Sequence, residues 1–563
     1  MAQKLNVILN NFSKGEFSDR ITGRVDIPGY YQGCKTMENF VMVAQGGAEV
    51  RPGTVYVGQP KYTDKKCRLI PFDVNDSEQF ILEVGNLYLR VWKNDVLLTT
   101  IYGGGAEFLT SYLEADLFEI QYVQTEGVMY FTHIGYDVAK ISYDGTTWLW
   151  DATVTFTDSP WSAPGEYPAA CAFQDQRLVL GGSEKQPQTI WGSVIGSYED
   201  MTQDPTLSAA AYAFTLATDK SSQVRWLLDK DILLVGAKTS ELLFMQGVSA
   251  GNIQVFRQSA YGSAAINAVA ISDAVIFLQR GRRKLREFVY SNDNQTYQAP
   301  DLTFFADHIS ESGIVEYDYQ QAPDPILWCV RDDGVLVGMT YDRIMGVAGW
   351  HRHITDGEFE SVAVLPGQDG EDQVYFTIKR NIQGSDIRYI EKFNKRDFGV
   401  LAQAVFNDAS YTKVGVGLTE IDGLDHLEGE VVSILADGVV QTQQTVSGGK
   451  VPITGTATTI TAGLPFIGTL TPVSIEIPGS STMGSTRNIG KALLRLYNSQ
   501  GGRVGVDDKY VDINYEGETD LFTGDKDNAI DANFSEKQEI TIIQNDPLPL
   551  TVLAMVVEMT FNR

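Results

Sequence analysis

Residues 118–152 read FEIQYVQTEGVMYFTHIGYDVAKISYDGTTWLWDA. Four runs in it, FEIQYV, VMYFTH, VAKISY and TWLWDA, are short and rich in aromatic and β-branched residues, with turn-forming residues between them. Runs this short suit strands rather than helices, and four in succession make one small antiparallel sheet. Asp144-Gly145 stands between the last two, and an Asp-Gly pair supplies the positive backbone angles of a type I′ hairpin.

The same texture recurs along the chain. LYLRVW starts at Leu87, VMYFTH at Val128, RLVLGG at Arg177, DILLVG at Asp231, AVIFLQ at Ala274, ILWCVR at Ile326 and QVYFTI at Gln373, so successive starts lie 41 to 54 residues apart. A four-stranded propeller blade takes about 40 to 50 residues, and it cannot bury its two faces without neighbours. The period therefore predicts an all-β chain built on a β-propeller of about six or seven blades. A pair of β-sandwiches also spells short strands with turn signals, but the even spacing favours the propeller. A second Asp-Gly hairpin is expected at Asp333-Gly334, and LSAAAYAF at 207–214 is the best short helical candidate.

The two ends differ from this middle. Residues 39–54, NFVMVAQGGAEVRPGT, combine a strand-like Phe40–Val43 with a Gly-Gly and an Arg-Pro-Gly-Thr, which reads as an extended arm closed by two tight turns. After about residue 400, GLDHLEGEVVSILADGVV is an alternating strand pair around Asp437-Gly438, followed by Thr-, Gly- and Pro-rich β-structure, and the tail TVLAMVVEMTFN reads as a strand buried in a sheet or against a neighbouring chain. The expected division is an N-terminal docking arm or platform over 1–70, the propeller over 71–400 and a C-terminal β-rich domain over 401–563.

The chain has 563 residues, 44 basic and 72 acidic, for a formal charge of −28. Duplex DNA is held mainly by neutralising phosphates, so this balance argues against a conventional nucleic-acid binder, though not against a wall that DNA slides past. Cys34, Cys67, Cys171 and Cys329 are too scattered for a disulfide framework or a zinc site. No signal-peptide h-region opens the sequence, and no run of about 18 apolar residues could span a bilayer; synthesis in a cytoplasm is expected.

Five motifs invite a chemical reading. GVSAG, with Ser249, matches the nucleophile-elbow pattern, but strand-like runs flank it where a helix is needed. GSTRNIGK (484–491) resembles a phosphate-binding loop, yet five residues separate its glycines and Ala492 replaces the hydroxyl residue. SYDGTTW (142–148) lacks one residue of a sialidase Asp-box and reads as a hairpin with Trp148 inside the blade. WHRH puts His351 and His353 on one side of a strand; with five histidines in the chain, a surface or inter-blade role is favoured over a metal site. RGRRKLR, carrying Arg280, Arg282, Arg283, Lys284 and Arg286, is the one dense basic run and could touch DNA phosphates or an acidic partner. No pair of carboxylates can be assigned by spacing to a glycosidase site.

The first 55 residues resemble the opening of tail nozzle proteins (tail tubular protein B) of short-tailed phages. The resemblance lies in N-F-x-x-G-E-x-S, the G-R-x-D of Gly23, Arg24 and Asp26, Tyr30, Gly33, Glu38-Asn39-Phe40, and the Q-G-G and R-P-G-T of residues 45–54; Asp19 departs from it, where many relatives carry Pro. A second block, KLREFVY, APDLTFFADHI, ILWCVRDDGVL and MTYDRIMGVAGWHRH, is similar to the same family. The resemblance implies a non-enzymatic structural protein of the virion tail, a homo-hexamer needing no cofactor. It implies partners too: an adaptor ring above, tail fibres or spikes, and genomic double-stranded DNA passing along the axis without sequence-specific binding. Adaptor docking falls, by the same resemblance, to Arg24, Asp26, Tyr30, Asn39, Phe40, Gly46, Gly47, Arg51, Pro52 and Gly53. The rival readings are a propeller enzyme degrading cell-surface glycans at a tail tip, and a propeller that only binds partners in a cell.

Overall fold

The structure, a computed structural model, describes residues 3–101, 105–204, 206–217, 221–230, 232–245, 253–367, 369–476 and 485–562. The quoted stretch forms one blade: Gln121–Thr125, Val128–His133, Tyr136–Tyr143 and Trp148–Asp151 pair in succession, all antiparallel. Six further four-stranded antiparallel sets repeat this plan among the described residues, the blade-like sheets of a β-propeller class of fold. The set starting at Arg68–Asn75 precedes it, and those starting at Ala170–Gln174, Val224–Lys230, Val269–Ile271, Ile314–Gln320 and Glu358–Leu365 follow.

Successive side chains of a strand point to opposite faces, and here both faces are covered. Met129, Phe131 and Ile141 enter a core with Ile70, Phe72 and Phe80 of the preceding blade, while Tyr130 and Val138 enter one with Cys171, Leu178 and Trp191 of the following blade. This double burial is why VMYFTH is apolar almost throughout. Trp148 lies against Phe72 and Phe80, at centroid distances of 5.0 and 4.8 Å.

Turn chemistry is less uniform than expected. At Asp144-Gly145 and Asp333-Gly334 only the glycines take positive φ, 91° and 79°. The Asp144 carboxylate instead accepts from the backbone N–H groups of Thr146 and Thr147, an Asx arrangement that closes a longer loop. The type I′ pair is Asp437-Gly438, with φ of 46° and 80°. The helical candidate at 207–214 is a turn leading into the strand Tyr212–Thr215, whose alternation outweighs its alanine content.

The chain forms two compact units, Lys65–Asp318 and a discontinuous one of Met1–Asp64 with Tyr319–Arg563. The first contains five blades. In the second, the N-terminal residues are not a projecting arm. Gln3–Leu9 pairs antiparallel with Thr551–Asn562, Gly33–Glu38 with Gly468–Pro472, and Thr54–Gly58 with Ser385–Phe393 of the last blade. Met37, Phe40 and Met42 share a core with Leu494, Leu496, Val552 and Met555. The apolar residues that looked like an arm in sequence are thus buried by strands hundreds of positions away.

Nor is the C-terminal β-structure set apart from the blades. One eight-stranded sheet runs from Glu358–Leu365, Gln373–Ile382 and Ser385–Phe393 through Thr54–Gly58 into Asp408–Asp422, Lys450–Leu464, Val431–Ala436 and Val439–Thr445. No boundary falls at residue 401. The strand expected from TVLAMVVEMTFN is buried between Gln3–Leu9 and Thr486–Ser499.

Deleting residues 1–58 removes a blade strand and partners of two other sheets, so it is expected to abolish the folded state of the discontinuous unit. Loss of near-ultraviolet circular dichroism and of a cooperative urea transition is the expected readout; an unchanged transition would mean the segment is dispensable.

Candidate functional site

The Arg-Pro-Gly-Thr turn lies at the centre of a buried polar network. Arg51 has no exposed surface and forks onto Asp408, Nη1 to Oδ1 at 2.8 Å and Nη2 to Oδ2 at 2.7 Å. Its remaining donors are also used: Nε on Asn39 Oδ1 at 3.0 Å, Nη1 on the Pro52 carbonyl at 3.0 Å and Nη2 on the Ile354 carbonyl at 3.1 Å. The guanidinium lies 3.9 Å from the Phe466 ring centroid, a position only a flat, delocalised cation fills while keeping both in-plane bonds. Burial pushes the Asp408 carboxyl up, but the charge and hydrogen bonds of Arg51, the Arg380 charge and the Thr355 hydroxyl together outweigh it and hold the group below its ordinary value.

A second buried pair adjoins the first. Arg380 binds Glu391 through Nε at 2.5 Å and Nη2 at 2.7 Å, and its Nη1 donates to Thr355 Oγ1 at 3.0 Å. Thr355 in turn donates to Asp408 Oδ2 at 2.7 Å, and Thr54 Oγ1 donates to Glu391. Two cations, two anions and two hydroxyls thus satisfy one another with almost no water, the condition under which a buried ionic group is tolerated.

Local geometry explains the motif. A Cβ at Gly53 would stand 2.0 Å from the Asn407 carbonyl oxygen, so the chain passes Asn407 only without a side chain. Gly46 has φ of 100° in the turn joining Phe40–Met42 to Ala48–Val50. Asn39, at φ of 55°, donates to the Ile467 carbonyl at 2.9 Å and accepts from the Ile354 N–H at 2.9 Å, binding the start of this segment to the residue after WHRH.

WHRH belongs to the same assembly. His351 and His353 are buried, not at the surface, with Nδ1 of the first 2.6 Å from Nε2 of the second and Trp328 edge-on to both. His351 Nε2 meets Thr340 Oγ1 at 3.2 Å. Burial, with help from the Arg396 charge, pushes His351 down to about 3, and burial together with the His351, Arg51 and Arg352 charges lowers His353 well below its ordinary value. Arg352, on the opposite face, pairs with Glu16 at 2.7 Å. Among the described residues no group of three or more His, Cys, Asp and Glu side chains could hold a metal ion.

Of the residues expected to dock onto an adaptor, Tyr30, Asn39, Phe40, Gly46, Gly47, Arg51, Pro52 and Gly53 are buried within this chain. Arg24 and Asp26 are exposed and paired with each other at 2.7 Å, on a loop that donates the Gly23 N–H to the Tyr30 hydroxyl. In the basic run, Arg280, Arg282, Arg283 and Lys284 are exposed, but Arg286 is buried, its guanidinium 3.5 Å from the Tyr261 ring centroid and its Nη1 on the Ala299 carbonyl at 2.6 Å. Ser249 and its motif lie outside the described residues, as does Gly484. The rest of GSTRNIGK enters the strand Thr486–Ser499, with Lys491 paired to Asp527, which leaves no loop to cradle a phosphate. Asp408, Thr355, Arg380 and Glu391 escaped the sequence reading because nothing local marks a pairing with residues 51 and 54.

No family model and no curated protein matches the chain. Among solved structures it is similar to the Neurospora crassa Pan2 WD40 domain, at 10% identity over 62% of this chain and 96% of that one, with a TM-score of 0.39. It is also similar to the β-propeller domain of Myceliophteria thermophila Cps50 (Swd1), at 10% identity over 60% and 100%, TM-score 0.38, and to Chaetomium thermophilum Raptor, at 8% over 62% and 29%, TM-score 0.40. At such scores these likenesses carry no argument about function, and the blade assignment stands on the strand pairings described above.

Two outcomes are expected. Arg51→Ala strands the Asp408 carboxylate and lowers stability by about 3–5 kcal/mol, read as a fall in the urea midpoint followed by tryptophan fluorescence. Because both histidines are depressed in the folded state, the unfolded chain binds protons first as pH drops. Stability therefore falls from about pH 6.5 downward, at up to about 1.4 kcal/mol per pH unit for each histidine, with His351 ceasing to contribute near its folded value of about 3. The depressed Asp408 adds a further loss that begins as pH falls through the ordinary carboxylate value, where the unfolded chain takes up a proton first, and is complete once pH is below its lowered value in the folded state. His353→Gln should flatten the upper part of this slope; a midpoint constant between pH 7 and 5 in the unsubstituted protein would refute the assignment.

Proposed function

We propose that this chain is a structural protein of a virion, the nozzle of a short phage tail, which docks as a homo-hexameric ring beneath an adaptor ring and lets genomic DNA pass along its axis. One observation carries the reading. The two stretches that resemble the tail nozzle family, residues 39–54 and the WHRH block, meet in one buried assembly: Asn39 and Arg51 hold the backbone of Ile354, and Glu16 and Glu38 flank Arg352. Motif residues that are mutually dependent in space are what a shared interior would leave in two separated blocks.

On this reading the buried motif residues hold the subunit together, and contact with the adaptor belongs to exposed residues of the same segment, Arg24 and Asp26 foremost. The excess of 28 negative charges suits a lumen that must not retain a polyanion. It also opposes assembly of six copies without a template. The role is structural, without catalysis, and its setting is the virion tail.

The test is assembly. Light scattering should find the purified subunit mainly monomeric at low salt, and negative-stain images of a mixture with the adaptor should show six-fold rings; a stable ring without adaptor removes the template argument, and no ring in either sample overturns the nozzle reading. Arg24→Glu should leave the urea midpoint within about 0.5 kcal/mol of wild type yet reduce incorporation into tails. Normal incorporation would take Arg24 out of the docking surface.

A further inference from the structure

In the unit Lys65–Asp318, the connection between the strands Ala274–Leu278 and Leu285–Ser291 is a tight turn closed by the Gln279 N–H on the Lys284 carbonyl at 2.9 Å. Arg280, Arg282 and Arg283 project from it, all exposed. Arg282 sits at φ of 58°, a left-handed angle that a residue with a Cβ rarely adopts. Lys284 is paired with Asp301 at 2.6 Å, but the three arginines have no acidic partner among the described residues. The half-buried Arg225 lies close enough to feel Arg282, though the Glu119 carboxylate acts on it more strongly.

The segment after Asp301 is fixed to this turn at both ends. Leu302 N–H donates to the Leu285 carbonyl at 2.9 Å, Ser310 Oγ to the Arg283 carbonyl at 2.6 Å, and Ile314 N–H to the Arg282 carbonyl at 2.8 Å. Between these anchors stand Phe304 and Phe305, 65% and 40% exposed, with ring centroids 5.1 Å apart at 82°. A cluster of unpaired guanidinia is therefore held beside an exposed aromatic pair, in a chain that is otherwise strongly acidic.

We propose that this turn and the Phe304–Phe305 step form a docking surface for an acidic segment of a partner protein, carboxylates pairing with Arg280, Arg282 and Arg283 and an apolar side chain covering Phe304. Charge complementarity selects an anion, and the aromatic pair selects a protein over a nucleic acid. A duplex backbone is held by neutralising many phosphates, where this site offers three or four cations amid a 28-charge acidic excess, and a paired helix gives phenylalanine nothing to stack on. Arginine and aromatic residues, phenylalanine among them, are enriched at protein–protein interfaces. The proposal does not depend on the tail reading.

The test is fluorescence anisotropy with the full chain at about 0.15 M salt, using three labelled probes: a peptide of Glu and Asp with Leu at every fourth position, the same peptide with Ser for Leu, and a duplex of about 20 base pairs. The Leu-bearing peptide should bind most tightly. Substituting Arg280→Ser, Arg282→Asn and Arg283→Ser together should weaken it about tenfold or more, and Phe304→Ser should erase the difference between the two peptides. All four side chains are exposed, so an unchanged urea midpoint will certify folding. Equal binding to wild type and triple variant, no binding of either peptide, or tighter binding of the duplex would each overturn the proposal. Self-association of the wild type that the triple variant loses would replace the partner by a second copy and overturn it too.

Discussion

The guanidinium of Arg51, without exposed surface and forked onto Asp408, is the constraint around which the discontinuous unit is organised. A charge so placed would cost several kcal/mol if left alone. Every neighbour is accordingly committed to it: Asn39, Pro52, Ile354 and Thr355 as hydrogen-bond partners directly or through Asp408, and Phe466 as a flat cover. Such a network adds little to net stability compared with an apolar filling of the same volume. Its effect is on uniqueness, because a register shift in any contributing strand would leave a bare charge behind. The N-terminal segment, the last blade and the strand Asp408–Asp422 are mutually fixed in this way.

What the sequence discloses depends on how local its cause is. The blades are legible because four consecutive strands pair with one another, so period, turn residues and double-sided burial all sit within a few tens of residues. The N-terminal segment misleads for the opposite reason. Gln3–Leu9 alternates polar and apolar residues as an edge strand does, but its partner is Thr551–Asn562, and no nearby residue announces that pairing. Arg51 was visible as a special position through its Pro-Gly turn, yet an anchored arginine looks the same whether it faces another molecule or a carboxylate of its own chain. Asp144-Gly145 differs from expectation similarly: the dipeptide permits a type I′ turn, as at Asp437-Gly438, and the Asx bonds of Asp144 select another loop.

The acidic excess acquires a sense from where charge is paired. Inside the discontinuous unit, Arg51, Arg380, Arg388 and Arg396 are each matched to carboxylates in low-exposure surroundings. These four arginines form interior pairs, where a planar, delocalised cation has a geometry lysine cannot reproduce. A net charge of −28 discourages non-specific contact with polyanions and with copies of itself. Against that background a turn bearing three exposed arginines with no acidic partner among the described residues stands out.

The pairing of Gln3–Leu9 with Thr551–Asn562 has a consequence in time. A ribosome adding about 5–20 residues per second needs on the order of half a minute to two minutes to travel between these two strands. Throughout that interval the first strand of the chain, its hydrogen-bonding edge bare, has no permanent neighbour, while five blades downstream of it can form and close over their own cores. Birth order and assembly order are therefore inverted for the opening segment: made first, it is among the last to be placed, and whatever shields it during synthesis decides how much of the nascent protein reaches the folded state.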